Sequence, residues 1–598
     1  MTTTATNERR SAPRRLIRRE MRRDLWAGTA LVLLATLVPT FMGNVFWQQA
    51  MLLAAVYVIA AVGLDVLRSQ AEQMSFGQGA VLGVAAYVAA LANGVWEEPL
   101  ALAAVYGLLA GMVTGMLMAL PSLRVQGYYL GFVTLAGALA LPDLILKFKD
   151  QTQALTGVNV FPVGPTEPLF GSLNWLTIVV TAVAVVSLFA GAVLRSSSLG
   201  RAMLLAGESP EAAVTVGLRP GQLRLQAFAL SSFAASVAGV LYVGVIQYVG
   251  SGSFTLALSV MLYFVVIVGG PGKVLGPILG VGLLYVVPDH LLSGLVDYRL
   301  LIYGAIVLAV MFVVPEGIAG GLDRLVRRYL TKGSDRDRSL ISLRPILDAA
   351  PSAEAAAHDG GDAPLLVVDE VRRSFGSVKA LDGASMTVRR GTVHAIVGPN
   401  GSGKTTLLNA VSGLITVDSG KVEFEGRDVT RLAASSRARL GLARTFQQPR
   451  VLNSLSVWEN IDCGRVSDRQ IPWFEEALAS YAEEWDALNS GVLPHGQRRF
   501  LEVLRALHSG PSIVALDEPA AGLSHAERLE FGQLLRDVAS KTSVTVLIVE
   551  HDLELVWNIA DQITVVDGGR VIASGSPAEL RNSKTIAHLF VGVEHVAG

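Results

Sequence analysis

The sequence predicts an α-helical membrane domain of about eight to ten spans, followed by an α/β nucleotide-binding domain built round a phosphate loop. Three observations carry this. Of 598 residues, 51% are hydrophobic and only 17% charged, more apolar than a soluble protein. The excess lies before about residue 315, where apolar runs near span length follow one another. Further along, Gly398-Pro399-Asn400-Gly401-Ser402-Gly403-Lys404-Thr405-Thr406 follows the apolar run 392–397 and precedes Leu407-Leu408-Asn409-Ala410-Val411. Strand, glycine turn and helix with G-x-x-x-x-G-K-T form a phosphate cradle. Its backbone N–H groups converge on phosphate oxygens, and the helix N-terminus adds partial positive charge.

Length and charge narrow the rest. The chain suggests about two to four domains. A formal charge of −1 leaves no basic domain, which argues against a nucleic-acid partner. The single cysteine, Cys463, excludes an intrachain disulfide or a thiolate metal site and fits a reducing compartment.

Residues 9 to 23 carry eight arginines, and an apolar run starts at Leu25. The run is long and lacks a small-residue cleavage site, so it reads as a first span held by an inner arginine patch rather than as a secretory signal. Candidate spans lie near 25–46, 50–67, 78–93, 100–120, 128–146, 175–194, 226–249, 255–270, 274–289 and 299–315. With the N-terminus inside, the inward connections hold Arg68, Arg124, Arg195, Arg201, Arg219, Arg224, Lys273, Arg324, Arg327 and Arg328. The outward ones hold Glu97, Glu98, Asp150, Glu167, Asp289 and Asp297, with Lys147, Lys149 and Arg299 as exceptions. This asymmetry puts both termini inside. Spans eight and nine are short and meet at Gly269-Gly270-Pro271-Gly272, so a re-entrant pair and eight spans are the alternative.

Asp143 follows Pro142 near an outer span end; it either faces a translocation path or reaches the interface. Gly77, Gly79, Gly83 and Gly111 read as helix packing. In the loop from Arg195 to Arg224, Ser209 is an N-cap, Pro210 the first helical residue, Glu211 in the first turn and Gly217 a left-handed close. A short capped helix between two spans follows, unless this is an ordinary capped loop.

Ser198-Leu199-Gly200-Arg201-Ala202, then Glu208-Ser209-Pro210-Glu211-Ala212-Ala213 and Gly217, resemble the coupling loop of ABC importer permeases. The order of further motifs narrows this to branched-chain amino-acid importers: Ser75-Phe76-Gly77-Gln78-Gly79 with Gly83 and Tyr87, Thr156-Gly157, Gly269-Gly270-Pro271-Gly272 with Gly276-Pro277, and Pro315-Glu316-Gly317. The resemblance implies that Glu208, Glu211, Ala212, Ala213 and Gly217 meet an ATPase domain.

From about Tyr329 to Pro364 hydropathy collapses into polar, small-residue stretches, which read as a flexible tether. The domains expected are an arginine-rich segment 1–24, a permease 25–320, a linker 321–364 and an ATPase 365–598.

In the last of these, Leu365–Val371 and Ala384–Val388 read as strands, Ser512–Leu516 and Val544–Val549 as buried strands, and 525–539 as a helix. The alternation predicts an α/β core with parallel strands. Lys404 can reach the β- and γ-phosphates, and Thr405 can ligate Mg²⁺. Asp517, at a strand end, can hold Mg²⁺ through water; Glu518, beside it, can polarise the attacking water.

This half is similar to an ABC-transporter nucleotide-binding domain throughout. The resemblance puts Phe375 against adenine; on its own it is equally a core aromatic. It also implies that Gln447 touches Mg²⁺ and the attacking water, and that His551 switches at the γ-phosphate. The signature gripping a partner's ATP appears as Leu493-Pro494-His495-Gly496-Gln497; Pro494 removes a hydroxyl and an N–H from it. The following Ala521-Gly522-Leu523-Ser524 ends in serine where most relatives have an acidic or amide residue. The resemblance implies that Arg450 to Trp458 forms part of the surface that meets the permease. Gly575–Leu580 and Leu589–Gly592 resemble that subfamily's ending.

The resemblance implies an ATP hydrolase using ATP and Mg²⁺, acting as a fused half-transporter in the bacterial cytoplasmic membrane. Its partners are a second permease and second ATP-binding domain, an extracellular solute-binding protein and the lipid bilayer. The rival readings are an importer of an amide, urea or a sugar, or a membrane-anchored regulatory ATPase. An exporter generally lacks the capped loop at 209–217.

Overall fold

The computed structural model describes residues 12–125, 127–153, 155–160, 173–250, 252–291, 294, 298–330, 346, 348, 364–464, 471–486, 488–542 and 544–581. Arg9, Arg10, Glu167, Asp297, the Leu589–Gly592 ending and most of the expected tether lie outside them. Two compact units emerge: one holds the described residues of 14–208 and 220–335, the other those of 1–13, 209–219 and 336–598.

In chain order the first helices are α1 (Ala12–Phe41), α2 (Val45–Gln70), α3 (Gln78–Gly94), α4 (Leu100–Ala119), α5 (Tyr128–Lys147), α6 (Trp175–Ser196), α7 (Ser198–Glu208) and α8 (Pro210–Thr215). Then come α9 (Pro220–Ile246), α10 (Leu256–Gly269), α11 (Gly276–Val281, running on as a π-helix over Gly282–Leu291), α12 (Arg299–Val313) and α13 (Gly317–Leu330). Seven helices among the described residues are long and apolar enough to cross a membrane, and α3, α10 and Gly276–Leu291 are shorter apolar helices. The first break falls earlier than the expected 46, because Asn44 caps α2 by accepting from Trp47 N.

Helix α2 is buried almost all round and forms the centre of this unit. A circumference apolar from Ala50 to Leu64 permits that. Helix α4 buries only Ala103, Gly107, Gly111, Gly115 and Ala119, one residue per turn. Leu102, Val105, Leu109, Val113 and Leu117 stand exposed, as on a lipid-facing surface. The glycine stripe is a close approach to α9: a Cβ at Gly115 would lie 2.0 Å from Ser232 Oγ, and one at Gly111 2.3 Å from Ser236 Oγ. Packing, not binding, explains these small residues. Asp143 is exposed on α5. The internal carboxylate that sequence reasoning passed over is Asp65, fully buried in α2.

The second unit holds two sheets. Strands β1 (Pro364–Phe375), β2 (Val378–Arg389), β3 (Val393–Val397), β4 (Ser419–Phe424), β5 (Arg427–Asp428), β6 (Leu442–Arg444), β7 (Ile513–Asp517), β8 (Thr545–Val549), β9 (Gln562–Asp567) and β10 (Arg570–Gly575) make them. One sheet runs β10-β9-β3-β8-β7-β6, parallel except for the β9–β10 pair; the other is β2-β1-β4-β5, antiparallel throughout. The strands expected at 365–371 and 384–388 therefore lie outside the parallel core, in the antiparallel sheet. Strands β3, β7 and β8 are buried at every position, as parallel strands covered on both faces must be. Helices α14 (Lys404–Ser412), α15 (Ala434–Leu440), α16 (His495–His508) and α17 (His525–Thr542) surround these sheets. Ile346, from the expected tether, is fully buried in the core cluster with Val393, Val546 and Phe531, and Asp348 pairs with Lys541 at 3.4 Å. Compositional polarity around residue 346 concealed one apolar anchor.

Candidate functional site

The phosphate loop is set by its two neighbours. Strand β3 is anchored in the core, and α14 begins at Lys404 with Gly403 as its cap at φ +104°. A Cβ on Gly403 would stand 2.5 Å from Ala380 O, so the left-handed turn and the close approach both require glycine. Gly401 is also left-handed, at φ +80°. Lys404 Nζ folds back into the loop and donates to Gly398 O at 2.8 Å and Pro399 O at 2.9 Å. Burial lowers its pKa, with Glu518 and Asp517 opposing. Ser402 Oγ is buried without a hydrogen-bond partner among the described residues. A buried cation and an orphaned hydroxyl inside one loop fit an anionic, oxygen-rich group. Asn400 and Thr405 are exposed, and Pro399 and Thr406 partly so.

Across the parallel sheet, Asp517 ends β7 beside Val549 of β8. Thr405 Oγ1 donates to Asp517 Oδ1 at 3.4 Å. Arg444, at the end of β6, donates to Asp517 Oδ2 at 3.1 Å and to Asn409 Oδ1 and Ser412 Oγ of α14. Burial raises the Asp517 pKa, and the Arg444 guanidinium acts against that rise. Arg444 opens the Arg444-Thr445-Phe446-Gln447 run, but its pairing with Asp517 was missed because that contact spans 73 residues of sequence.

Glu518 follows with φ +43°, a left-handed conformation unusual for a residue with a side chain. Such strain concentrates where geometry serves function. Its Oε2 accepts from Gln447 Nε2 at 2.9 Å. His551, two residues past β8, is exposed; its Nδ1 lies 3.8 Å from Glu550 rather than against Glu518. Phe375 is half exposed with Arg373 stacked 4.9 Å above its ring, so it is not a core aromatic.

Residues Leu493 to Gln497 run from the approach to α16 into its first turn, with Pro494 as N-cap and no side-chain cap bond. His495 lies 3.4 Å from where a Gly522 Cβ would stand. Among the described residues no hydrogen bond or ion pair joins His495, Gly496 or Gln497 to the phosphate loop. Within α16, Arg499 donates to Phe446 O and Gln447 O. Glu502 accepts from Phe446 N at 3.3 Å and Arg450 N at 3.4 Å. Both side chains are almost fully buried. From sequence, two charges three apart on an amphipathic helix read as a solvent face, which is why this clamp was missed.

The 209–219 segment folds in the same unit. Ser209 Oγ caps α8 by accepting from Ala212 N at 3.4 Å, and Gly217 closes it at φ +92°. Glu211 Oε2 accepts from Arg450 at 3.1 Å, and Gly217 O from Arg439 at 2.7 Å. Ala212 and Ala213 are buried. Glu208 ends α7 in the other unit.

Comparison with known proteins covers both halves. Residues 47–314 match the family described as branched-chain amino acid transport system / permease component, and residues 381–521 the ABC transporter family. The ATP-binding half is similar to the high-affinity branched-chain amino acid transport ATP-binding protein BraF of Pseudomonas aeruginosa, 32% identical over 254 residues, 38% of this chain and 98% of that protein. It is also similar to the probable branched-chain amino acid transport ATP-binding protein LivG of Archaeoglobus fulgidus, 34% identical over 253 residues, 38% of this chain and 96% of that one. A crystal structure of a nucleotide-free ATP-binding cassette from an ABC transporter is 31% identical over 38% of this chain and 99% of that chain, with a TM-score of 0.34. The chain is thus an integral membrane protein carrying an ATP-hydrolysing cassette, and it belongs to the ABC transporter family of branched-chain amino acid transport systems, with permease and ATP-binding components joined in one polypeptide.

Proposed function

We propose that this chain is half of an importer that uses ATP to bring branched-chain amino acids across the bacterial cytoplasmic membrane, with both termini on the ATP side. The observation that carries the reading is one continuous set of contacts. Thr405, next to Lys404, meets Asp517 at 3.4 Å, Gln447 meets Glu518 at 2.9 Å, and Arg450, three residues beyond Gln447, meets Glu211 of α8 at 3.1 Å.

In this reading Lys404 and the N–H groups of Gly398 to Thr406 hold the phosphates, and Phe375 stacks on the base. Glu518 orients and polarises the attacking water, Gln447 holds Glu518 in place, and His551 approaches the γ-phosphate from the end of β8. Mg²⁺, held by Thr405, Gln447 and Asp517, would neutralise charge on the phosphate oxygens. Leu493 to Gln497 serve the ATP of a second cassette, so turnover needs a second permease and ATP-binding domain, as copy or paralogue. A solute-binding protein outside delivers the amino acid. Residues 1–24 form an inner basic segment, 25–320 the permease, 321–364 the link and 365–598 the cassette.

Uptake of labelled leucine into proteoliposomes of the whole assembly tests this. Accumulation should need internal Mg·ATP and be competed by isoleucine and valine. Competition by acetamide, urea or glucose instead would replace the solute.

A further inference from the structure

A buried ion pair in the membrane unit has no part in ATP chemistry. Asp65, in the last turns of α2, is fully buried, and Arg195, in the last turn of α6, is 8% exposed. One Asp65 oxygen accepts from Arg195 Nη2; the other accepts the backbone N–H of Gly272 at 2.8 Å. Gly272 is left-handed at φ +78° and sits in the turn joining α10 to α11. That turn is tight: a Cβ on Gly269 would fall 2.0 Å from Gly276 O. One carboxylate therefore joins a central helix, the root of the segment leading to α8, and the hinge between two short apolar helices. Two residues on from Arg195, Ser197 Oγ caps α7 by accepting from Gly200 N at 3.1 Å.

Burying two charges among apolar helices costs nearly as much in lost hydration as the pair returns, so stability alone does not explain it. What a buried pair does supply is a single allowed arrangement, because any slippage strands a charge in an apolar medium. We propose that Asp65 and Arg195 are positioning residues for transport: they make α2, the end of α6 and the Gly270–Gly272 turn move as one body when the coupling segment is displaced. The proposal rests on the transport reading.

Two measurements on the whole assembly in proteoliposomes test it. Asp65→Asn keeps an acceptor for Gly272 N–H and strands Arg195. It should lower uptake about ten-fold or more while the KM for ATP stays within about two-fold. Uptake and coupling equal to the unaltered chain would overturn the proposal. The second does not depend on that variant folding. Ser69 Cβ lies 3.6 Å from where a Gly272 Cβ would stand, within the usual ~3.5–4.5 Å for a disulfide. In a Cys463→Ser background, Ser69→Cys/Gly272→Cys should transport equally oxidised and reduced, because the joint never opens. Oxidation that stops uptake and solute-stimulated hydrolysis, reversed by dithiothreitol, would overturn it. If the unaltered chain moves no leucine, the proposed solute fails, and hydrolysis by the oxidised and reduced forms still decides the joint.

Discussion

Arg450 and Glu211, 239 residues apart in sequence, meet at 3.1 Å, and Arg439 holds the carbonyl of Gly217 at the other end of the same short helix. Both side chains of the first pair are well exposed, so the pair is worth no more than about 1 kcal/mol of stability. In the importer reading its value is mechanical. Glu211→Ala should leave thermal unfolding of the detergent-solubilised chain nearly unchanged, while solute moved per ATP falls several-fold. An unchanged ratio would reduce α8 to a connector.

Arg499 and Glu502 should behave in the opposite way. Arg499→Met leaves Glu502 buried with Arg505, 3.9 Å away, as its remaining cation, so the cost should approach but not reach the about 3–5 kcal/mol of a buried pair left wholly unpaired. It also frees the carbonyls of Phe446 and Gln447. A large drop in the unfolding temperature is expected, and Arg499→Lys should recover part of it. Where the variant remains folded, kcat should fall more than KM for ATP changes, since Gln447 loses its support. Equal stability would show that the clamp carries no load.

Phe375 should report on the base. Aromatic stacking of about 0.5–1.5 kcal/mol predicts that Phe375→Leu raises the KM for ATP by roughly two- to ten-fold with kcat kept. Steady-state hydrolysis at varied ATP measures this, and an unchanged KM would leave Arg373 as the ring's only companion.

His394, buried in β3 with Nε2 2.8 Å from Thr564 Oγ1, has its pKa pulled down from 6.5 to about 4 by burial. The folded state thus prefers the neutral ring. Its contribution is full above pH 6.5 and is lost as the pH falls from 6.5 towards 4, because only the unfolded chain gains the proton there. The loss is about 1.4 kcal/mol per pH unit at most. His394→Asn should flatten the decline in unfolding temperature between pH 7 and pH 5 relative to the unaltered chain; parallel curves would assign the acid sensitivity elsewhere.

What could be read from the sequence was local. The phosphate loop and the strand before it are one continuous run, so their conformation follows from nearby glycines and apolar residues. Asp517 and Glu518 could be proposed from a short acidic motif after a strand and Gln447 from the family resemblance, and in the structure Gln447 meets Glu518 at 2.9 Å. Pairings across long stretches of chain were not readable. Arg195 meets Asp65 across 130 residues, and neither carries a motif. The strands at the start of the cassette were found in place, but their antiparallel sheet depends on Leu366 facing Phe424, which no local pattern specifies. Ile346 shows the same limit, a single apolar residue whose burial depends on a distant core.

The claim that nucleotide chemistry in one half drives the membrane helices of the other is tested most directly by Glu518→Gln. Hydrolysis and leucine accumulation should be measured in the same proteoliposomes, with this chain supplying every cassette. The account predicts that ATP still binds while hydrolysis and uptake are abolished together. Hydrolysis at the native rate in that variant, or accumulation that continues without it, would contradict the account.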